Sequence, residues 1–215
     1  SITTNGFFLS DKIDRLAAAG LRRINVSLDS LRPSRFERMV RREGEILHRV
    51  LEGMAAARRA GLAPVKVNVV VVRNINDDEI VDFVRLGREQ DYQVRFIEFM
   101  PLDAQGAWSM DAVVPGAEIL ARVQQAFPLA PAASNGHEPA RVRRFADGRG
   151  SFGVIASVTE PFCEQCNRVR ITADGHLRTC LFSVQEHDLK GMLRGVATDE
   201  EISDRIVAAV WKKEP

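Results

Sequence analysis

Apolar, β-branched runs alternate along the chain with amphipathic helical patterns. Ile2 to Asn5 reads as the end of a strand, and a helix follows from Ser10 as N-cap to Gly20 as the residue after its last turn. RRINVSL (Arg22 to Leu28) is a second strand. Pro33 is placed to open a short helix, and ILHRVLEGMAAARRAG closes another at Gly61. VKVNVVVV (Val65 to Val72) is the clearest strand. NINDDEI supplies an acidic start for a helix over Asp77 to Gln90, and VRFIEFM (Val94 to Met100) is the next strand, ended by Pro101. Short connections between strands that are apolar at most positions predict a parallel, helix-covered sheet of the α/β class. A closed barrel needs about eight such units, and the pattern holds roughly four strands, so the expected sheet is less than a barrel.

Beyond Met100 the pattern changes. Leu102 to Pro115 reads as a loop, Ala117 to Phe127 as a helix, and Pro128 to Pro139 carries few structural signals. Short strands follow in RVRRF, SFGVIASV, RVRIT and LRTCLF, the last two joined through Asp174-Gly175, a strong hairpin signal. Thr198-Asp199-Glu200-Glu201 is a capping box for a final helix ending near Trp211. A domain boundary is expected between residues 103 and 140, drawn as 1–103 and 104–215.

Within the strands, polar positions carry information. Lys66 and Asn68 share one face of their strand while Val65, Val67 and Val69 share the other, and Asn25 and Ser27 oppose Ile24, Val26 and Leu28. If the valine face meets the helices, the polar face lines a lumen. A buried lysine there needs an anionic partner or ligand. The plainer alternative is a wet lumen with internal hydrogen bonds. Arg95 opens its strand, and its direction is not given by parity.

Composition adds exclusions. The chain has 215 residues, 45% hydrophobic and 27% charged, with formal net charge +1, so no bulk field favours nucleic acid or a membrane surface. No run approaches the ~20 apolar residues of a membrane span, and no signal peptide opens the chain. The first residue is Ser1 and the text begins within a pattern, which reads as a fragment or processed chain.

The strongest chemical signal is PFCEQCNRVRITADGHLRTC, a C-x2-C-x13-C set of Cys163, Cys166 and Cys180. An odd, local set suits metal or redox chemistry in a reducing, cytoplasmic compartment better than a disulfide framework. Zinc with His176 or His187 as fourth ligand and an iron–sulfur cluster with one open iron stand equal on spacing. Arg168 and Arg170, two apart on an expected strand, suit a phosphate or other bidentate anion, or else a solvated edge.

TTNG, GLRRINVSLDS, VKVNVVV, NINDDEI, RFIEFMP and FCEQCNRVRITADGHLRTCLF occur in this order. Together they strongly resemble the GTP 3′,8-cyclase family of molybdenum-cofactor biosynthesis, radical S-adenosylmethionine lyases, from Ser1 to the last helix. The resemblance implies a partial (β/α)6 barrel, TIM-barrel-like, with a C-terminal β-hairpin and helical extension carrying a second 4Fe–4S cluster. It implies cyclisation of GTP to (8S)-3′,8-cyclo-7,8-dihydroguanosine 5′-triphosphate, a first cluster on a C-x3-C-x2-C loop cleaving S-adenosylmethionine, and hydrogen abstraction from C3′ of the ribose. Carried over residue by residue, Cys163, Cys166 and Cys180 look like the ligands of the second cluster. Thr3 (with Thr4 adjacent), Lys66, Arg95, Arg168, Val169 and Arg170 look like GTP contacts. Ser27 and Met100 look like S-adenosylmethionine contacts, and no catalytic residue is assigned. Implied partners are an electron donor such as flavodoxin or ferredoxin and a downstream cyclic pyranopterin monophosphate synthase, with a homodimer also open. No cysteine precedes Cys163, and the family's Gly-Gly tail does not appear. The isolated chain is therefore expected not to turn over. The rival readings are a non-catalytic, zinc-stabilised binding module and another radical enzyme with an auxiliary cluster.

Overall fold

The computed structural model describes residues 1–42, 44–102, 106, 108–132 and 138–213. The chain divides into two compact units, Ser1–Pro161 and Phe162–Pro215. The first contains strands β1 (Ile2–Thr4), β2 (Ile24–Ser27), β3 (Val65–Val71), β4 (Tyr92–Glu98), β5 (Arg141–Arg144) and β6 (Ser151–Ile155). Its helices are α1 (Leu9–Ala18), α2 (Pro33–Val40), α3 (Ile46–Arg59), α4 (Ile80–Gln90) and α5 (Gly116–Ala126). One six-stranded sheet runs in the order β1-β2-β3-β4-β6-β5, parallel throughout except for β5.

The alternation read from the strands governs the layers. Val65, Val67, Val69 and Val71 of β3 are buried, and Lys66, Asn68 and Val70 are half-buried on the opposite face. The buried face meets Leu9 and Ile13 of α1, Val50, Met54 and Ala57 of α3, Phe83 and Val84 of α4 and Ile119 and Val123 of α5 in one core. Full burial of one such side chain contributes about 1.5–3 kcal/mol, so this layer dominates stability. Phe83, Phe96 and Phe152 continue it edge to face across α4, β4 and β6. A Cβ on Gly53 of α3 would lie 2.8 Å from the Gly6 carbonyl oxygen and 2.9 Å from the Leu9 Cβ. Glycine thus sets how closely α3 can approach the start of α1.

Several expectations change. SFGVI, read as one of a set of short strands, becomes β6 and adds a parallel strand to the roughly four counted, pairing with β4 through the α5 crossover. Helix α1 starts at Leu9, not after a Ser10 cap, because the Leu9 N–H bonds the Gly6 carbonyl and closes the turn one residue earlier. Asp77–Glu79 is a one-turn 3-10 helix before α4. The boundary drawn after residue 103 falls on residues outside the described ones. On its far side β5 and β6 hydrogen-bond into the sheet that holds β4.

The second unit holds an antiparallel sheet, β7 (Arg170–Ile171), β8 (His176–Arg178) and β9 (His187–Asp188), with helices α6 (Lys190–Arg194) and α7 (Asp199–Trp211). Leu177, Leu189 and Ala209 form its small core. The capping box is present, the Thr198 hydroxyl accepting the Glu201 N–H and the Glu201 carboxylate accepting the Thr198 N–H. Among the described residues no helix is long and apolar enough to cross a membrane.

Candidate functional site

Strand register assembles the polar face of the first unit in rows. Thr3, Asn25, Lys66 and Gln93 are successive partners across β1 to β4, and Ser27, Asn68, Arg95 and Gly153 form a second row across β2, β3, β4 and β6. The second row lies nearer the carboxyl ends of the strands, where ligand loops collect in such sheets. Four residues expected to bind ligand, Thr3, Ser27, Lys66 and Arg95, therefore share one face. Register also separates Thr3 from Thr4. The Thr3 hydroxyl accepts an N–H from Asn25 at 3.2 Å, whereas Thr4 pairs with Val26 on the core face and its hydroxyl accepts the Gly6 N–H.

The face is cationic and incompletely satisfied. Burial holds the Lys66 ammonium below the ordinary lysine range, helped by the positive charges of Arg95 and Arg23 and opposed by Glu138. Burial likewise lowers Arg95, again against Glu138. The Nε of Arg95 and the Oδ1 of Asn68 are buried without a hydrogen-bond partner among the described residues. A buried polar atom left unpaired costs about 1–3 kcal/mol, which a polar ligand would recover.

At the carboxyl ends of β1 and β2 a cavity of about 570 Å³ is walled by Phe7, Phe8, Phe36 and Ile46, with Ser27 and Asp29 among its polar groups. Burial raises the Asp29 carboxyl, opposed by the Val70 N–H that it accepts at 2.8 Å. The loop after Ser27 is locked from the NINDDEI segment. The Asn76 amide donates to the carbonyls of Asp29 (2.6 Å) and Val70 (2.8 Å), and Glu79 accepts from the Ser30 hydroxyl (2.7 Å), the Leu31 N–H (2.6 Å) and Arg35 (2.5 Å). In the sequence NINDDEI reads as an acidic helix start and as one of the stretches that carry the family resemblance, with no role for its side chains. Its signal for more was two polar residues, Asn76 and Glu79, that become fully buried. Met100 lies just past β4, half-buried.

In the second unit Cys163–Gln165 forms one 3-10 turn, and Cys166 donates its N–H to the Cys163 carbonyl at 3.1 Å. All three cysteines are free thiols. The Cys166 sulfur accepts the Arg168 Nε–H at 3.4 Å, and the Cys180 sulfur the Phe182 N–H at 3.5 Å. Burial alone would raise the Cys166 thiol, but the bonds from Arg168 and Lys213 outweigh it and bring it down to about 7. Lys213, beyond α7, also donates to the carbonyls of Cys166 (2.5 Å) and Arg168 (3.1 Å), a tie that its place in the sequence did not announce.

Here the expected geometry is corrected. Only Arg170 lies in β7, and Arg168 precedes the strand because its carbonyl is taken by Lys213 and its guanidinium turns to Cys166 and stacks 5.0 Å from the Phe162 ring. Val169 is exposed, and Cys180 lies two residues past the end of β8. The donor set fits an iron–sulfur cluster in kind, since the three thiols are free and two of their sulfurs accept N–H bonds, as cluster thiolates do. Each cysteine of such a cluster binds a different iron, so its sulfurs stand farther apart than the ligands of one zinc ion. Among the described residues no group of three or more His, Cys, Asp or Glu side chains, the three cysteines included, is gathered to hold a metal ion.

Comparison with known proteins divides the chain elsewhere, between α4 and β4 and so within the first unit. Residues 1–87 match the model of the Radical SAM superfamily, and residues 92–215 that of Molybdenum Cofactor Synthesis C. The chain is 49% identical to a GTP 3′,8-cyclase of Streptomyces coelicolor, 47% to one of Moorella thermoacetica and 46% to one of Mycolicibacterium smegmatis. Each alignment takes in 99% of this chain and 62%, 65% and 60% of the respective relative, so the chain spans less than two thirds of their length. With the second of these models matching more than half of its residues, the chain belongs to the Molybdenum Cofactor Synthesis C family.

Proposed function

We propose that this chain is the greater part of a GTP 3′,8-cyclase, a radical S-adenosylmethionine lyase that cyclises GTP in molybdenum-cofactor biosynthesis. The observation that carries the reading is the polar face of the sheet, where Lys66 and Arg95 sit half-buried beside unsatisfied polar atoms. Such a face favours a phosphate-bearing ligand, because desolvated cations gain most from a bound anion. Lys66 and Arg95 would neutralise and orient phosphate oxygens, and the Asn25–Thr3 pair would contact the sugar or phosphate. Arg168, Val169 and Arg170 would be further GTP contacts. Ser27 and Met100, toward the carboxyl ends of the strands, would hold S-adenosylmethionine, the aromatic wall of the cavity excluding water. In this reading the sheet, β6 included, is part of a (β/α)6 barrel, and residues 162–215 form the auxiliary-cluster region.

Cys163, Cys166 and Cys180 would hold a 4Fe–4S cluster with one iron left for substrate. A second cluster belongs on a C-x3-C-x2-C segment of the longer protein, and with bound S-adenosylmethionine it supplies the one-electron chemistry of hydrogen abstraction. An electron donor such as flavodoxin or ferredoxin and a downstream synthase complete the setting. The free thiols suit a reducing cytoplasm, and the isolated chain should not turn over. Anaerobic iron–sulfur reconstitution followed by GTP titration tests this. Brown protein with about four irons per chain and a cluster signal perturbed by GTP is expected. Colourless protein holding one zinc and ignoring GTP would overturn the reading in favour of a zinc-stabilised module.

A further inference from the structure

Glu98, the last residue of β4, stands on the parity of Val94 and Phe96, the face that meets the helices, and it is fully buried. Its Oε1 accepts the N–H of Gly116, the first residue of α5, at 2.7 Å and the Thr159 hydroxyl at 2.5 Å. Its Oε2 accepts the N–H groups of Val158 at 2.7 Å and Thr159 at 2.8 Å. Three segments, the end of β4, the start of α5 and the turn after β6, thus converge on one carboxylate. The amino end of α5 offers it a favourable dipole, and its four donors among the described residues are all neutral. The approach is close. A Cβ on Gly116 would lie 2.9 Å from the Ala156 Cβ and 3.1 Å from the Val154 Cγ1.

A buried carboxylate without a cationic partner is a poor source of stability, because desolvation opposes the bonds it makes. An apolar residue at this position would extend the core of Val94 and Phe96 at less cost. What the carboxylate supplies that an apolar side chain cannot is a definite geometry at the carboxyl end of the sheet. The next residues leave directly from it. The Phe99 carbonyl accepts the Trp108 indole N–H at 2.8 Å, and the Met100 carbonyl accepts the Leu102 N–H at 2.7 Å. Met100 therefore emerges from a strand end held at four points.

We infer that Glu98 is a positioning residue for S-adenosylmethionine, fixing the segment that carries Met100 and the Val158–Thr159 turn without touching the ligand. The inference rests on the proposed function. The residues taken as GTP contacts in this unit, Thr3, Lys66 and Arg95, lie on the opposite face and earlier along the strands, so the two affinities should separate. The test measures dissociation constants for S-adenosylmethionine and GTP in the reconstituted full-length protein, with Glu98→Gln, Thr159→Val and Thr159→Ser beside the wild type. Glu98→Gln should weaken S-adenosylmethionine about tenfold and Thr159→Val about threefold, the losses expected for bonds to a buried charge. GTP affinity should stay within about twofold, and Thr159→Ser, which keeps the hydroxyl, should behave as wild type. Unchanged S-adenosylmethionine affinity in the folded variants overturns the inference, as does a parallel loss of GTP, which marks a merely structural role. If Glu98→Gln does not fold, the Thr159 pair decides alone. A wild-type protein that ignores S-adenosylmethionine overturns the underlying reading, whereas a wild type that binds it beside indifferent variants overturns only the role of Glu98.

Discussion

Replacing Glu79 with alanine should destabilise the Ser1–Pro161 unit by about 3–4 kcal/mol. The carboxylate is fully buried and holds the Ser30 hydroxyl, the Leu31 N–H and Arg35 at 2.5–2.7 Å. Bonds to a charged group contribute about 1.5–3 kcal/mol each, and removing one partner of a buried ion pair costs about 3–5 kcal/mol. These do not add, since the bonds share one carboxylate. Arg35, 18% exposed at its side chain, also keeps Asp78 at 2.5 Å, which holds the loss to the lower part of that range. With a urea slope of about 2 kcal/mol/M, the unfolding midpoint should fall by about 1.5–2 M. Glu79→Gln keeps one acceptor oxygen and the shape, and should show about half that shift. The assay is equilibrium urea unfolding followed by circular dichroism and by Trp108 fluorescence. A Glu79→Ala midpoint within about 0.5 M of wild type would refute the claim that this carboxylate locks the loop after β2.

Two further perturbations probe the face and the packing. Lys66 is held below the ordinary lysine range by burial and by Arg95 and Arg23, and only its ammonium form attracts phosphate. GTP affinity should therefore be full below the lowered pKa and fall as pH rises through it, sooner than a free lysine at about 10.4 would allow. Lys66→Met should weaken GTP and abolish that slope, and a slope that persists in the variant would assign it to another group. Gly53→Ala places a methyl 2.8 Å from the Gly6 carbonyl oxygen, so α3 must back away from α1. Thermal unfolding should show a loss of about 1–3 kcal/mol, and an unchanged midpoint would mean that this helix pair has slack.

What local pattern could specify, the sequence carried. The alternation of Val65, Val67 and Val69 with Lys66 and Asn68 assigned faces correctly because side-chain direction in a strand repeats every two residues. The capping box around Thr198 was legible because both of its bonds close within four residues. The free thiols and their spacing were likewise visible as a motif. What lay outside its reach were partnerships between distant segments. Glu79 meets Ser30 across 49 residues and Glu98 meets Thr159 across 61, and no periodicity relates such positions. Glu98 shares the parity of Val94 and Phe96, yet parity does not say which donors surround a carboxylate on that face. The parallel docking of β6 on β4 depended on the α5 crossover, and the displacement of Arg168 from its expected strand depended on Lys213 arriving from beyond α7. The sequence by itself determined which side chains face the helices and which face the polar side. The tertiary structure decided which buried groups satisfy one another, because hydrogen bonds are made by proximity in space and the chain brings those atoms together only when it folds.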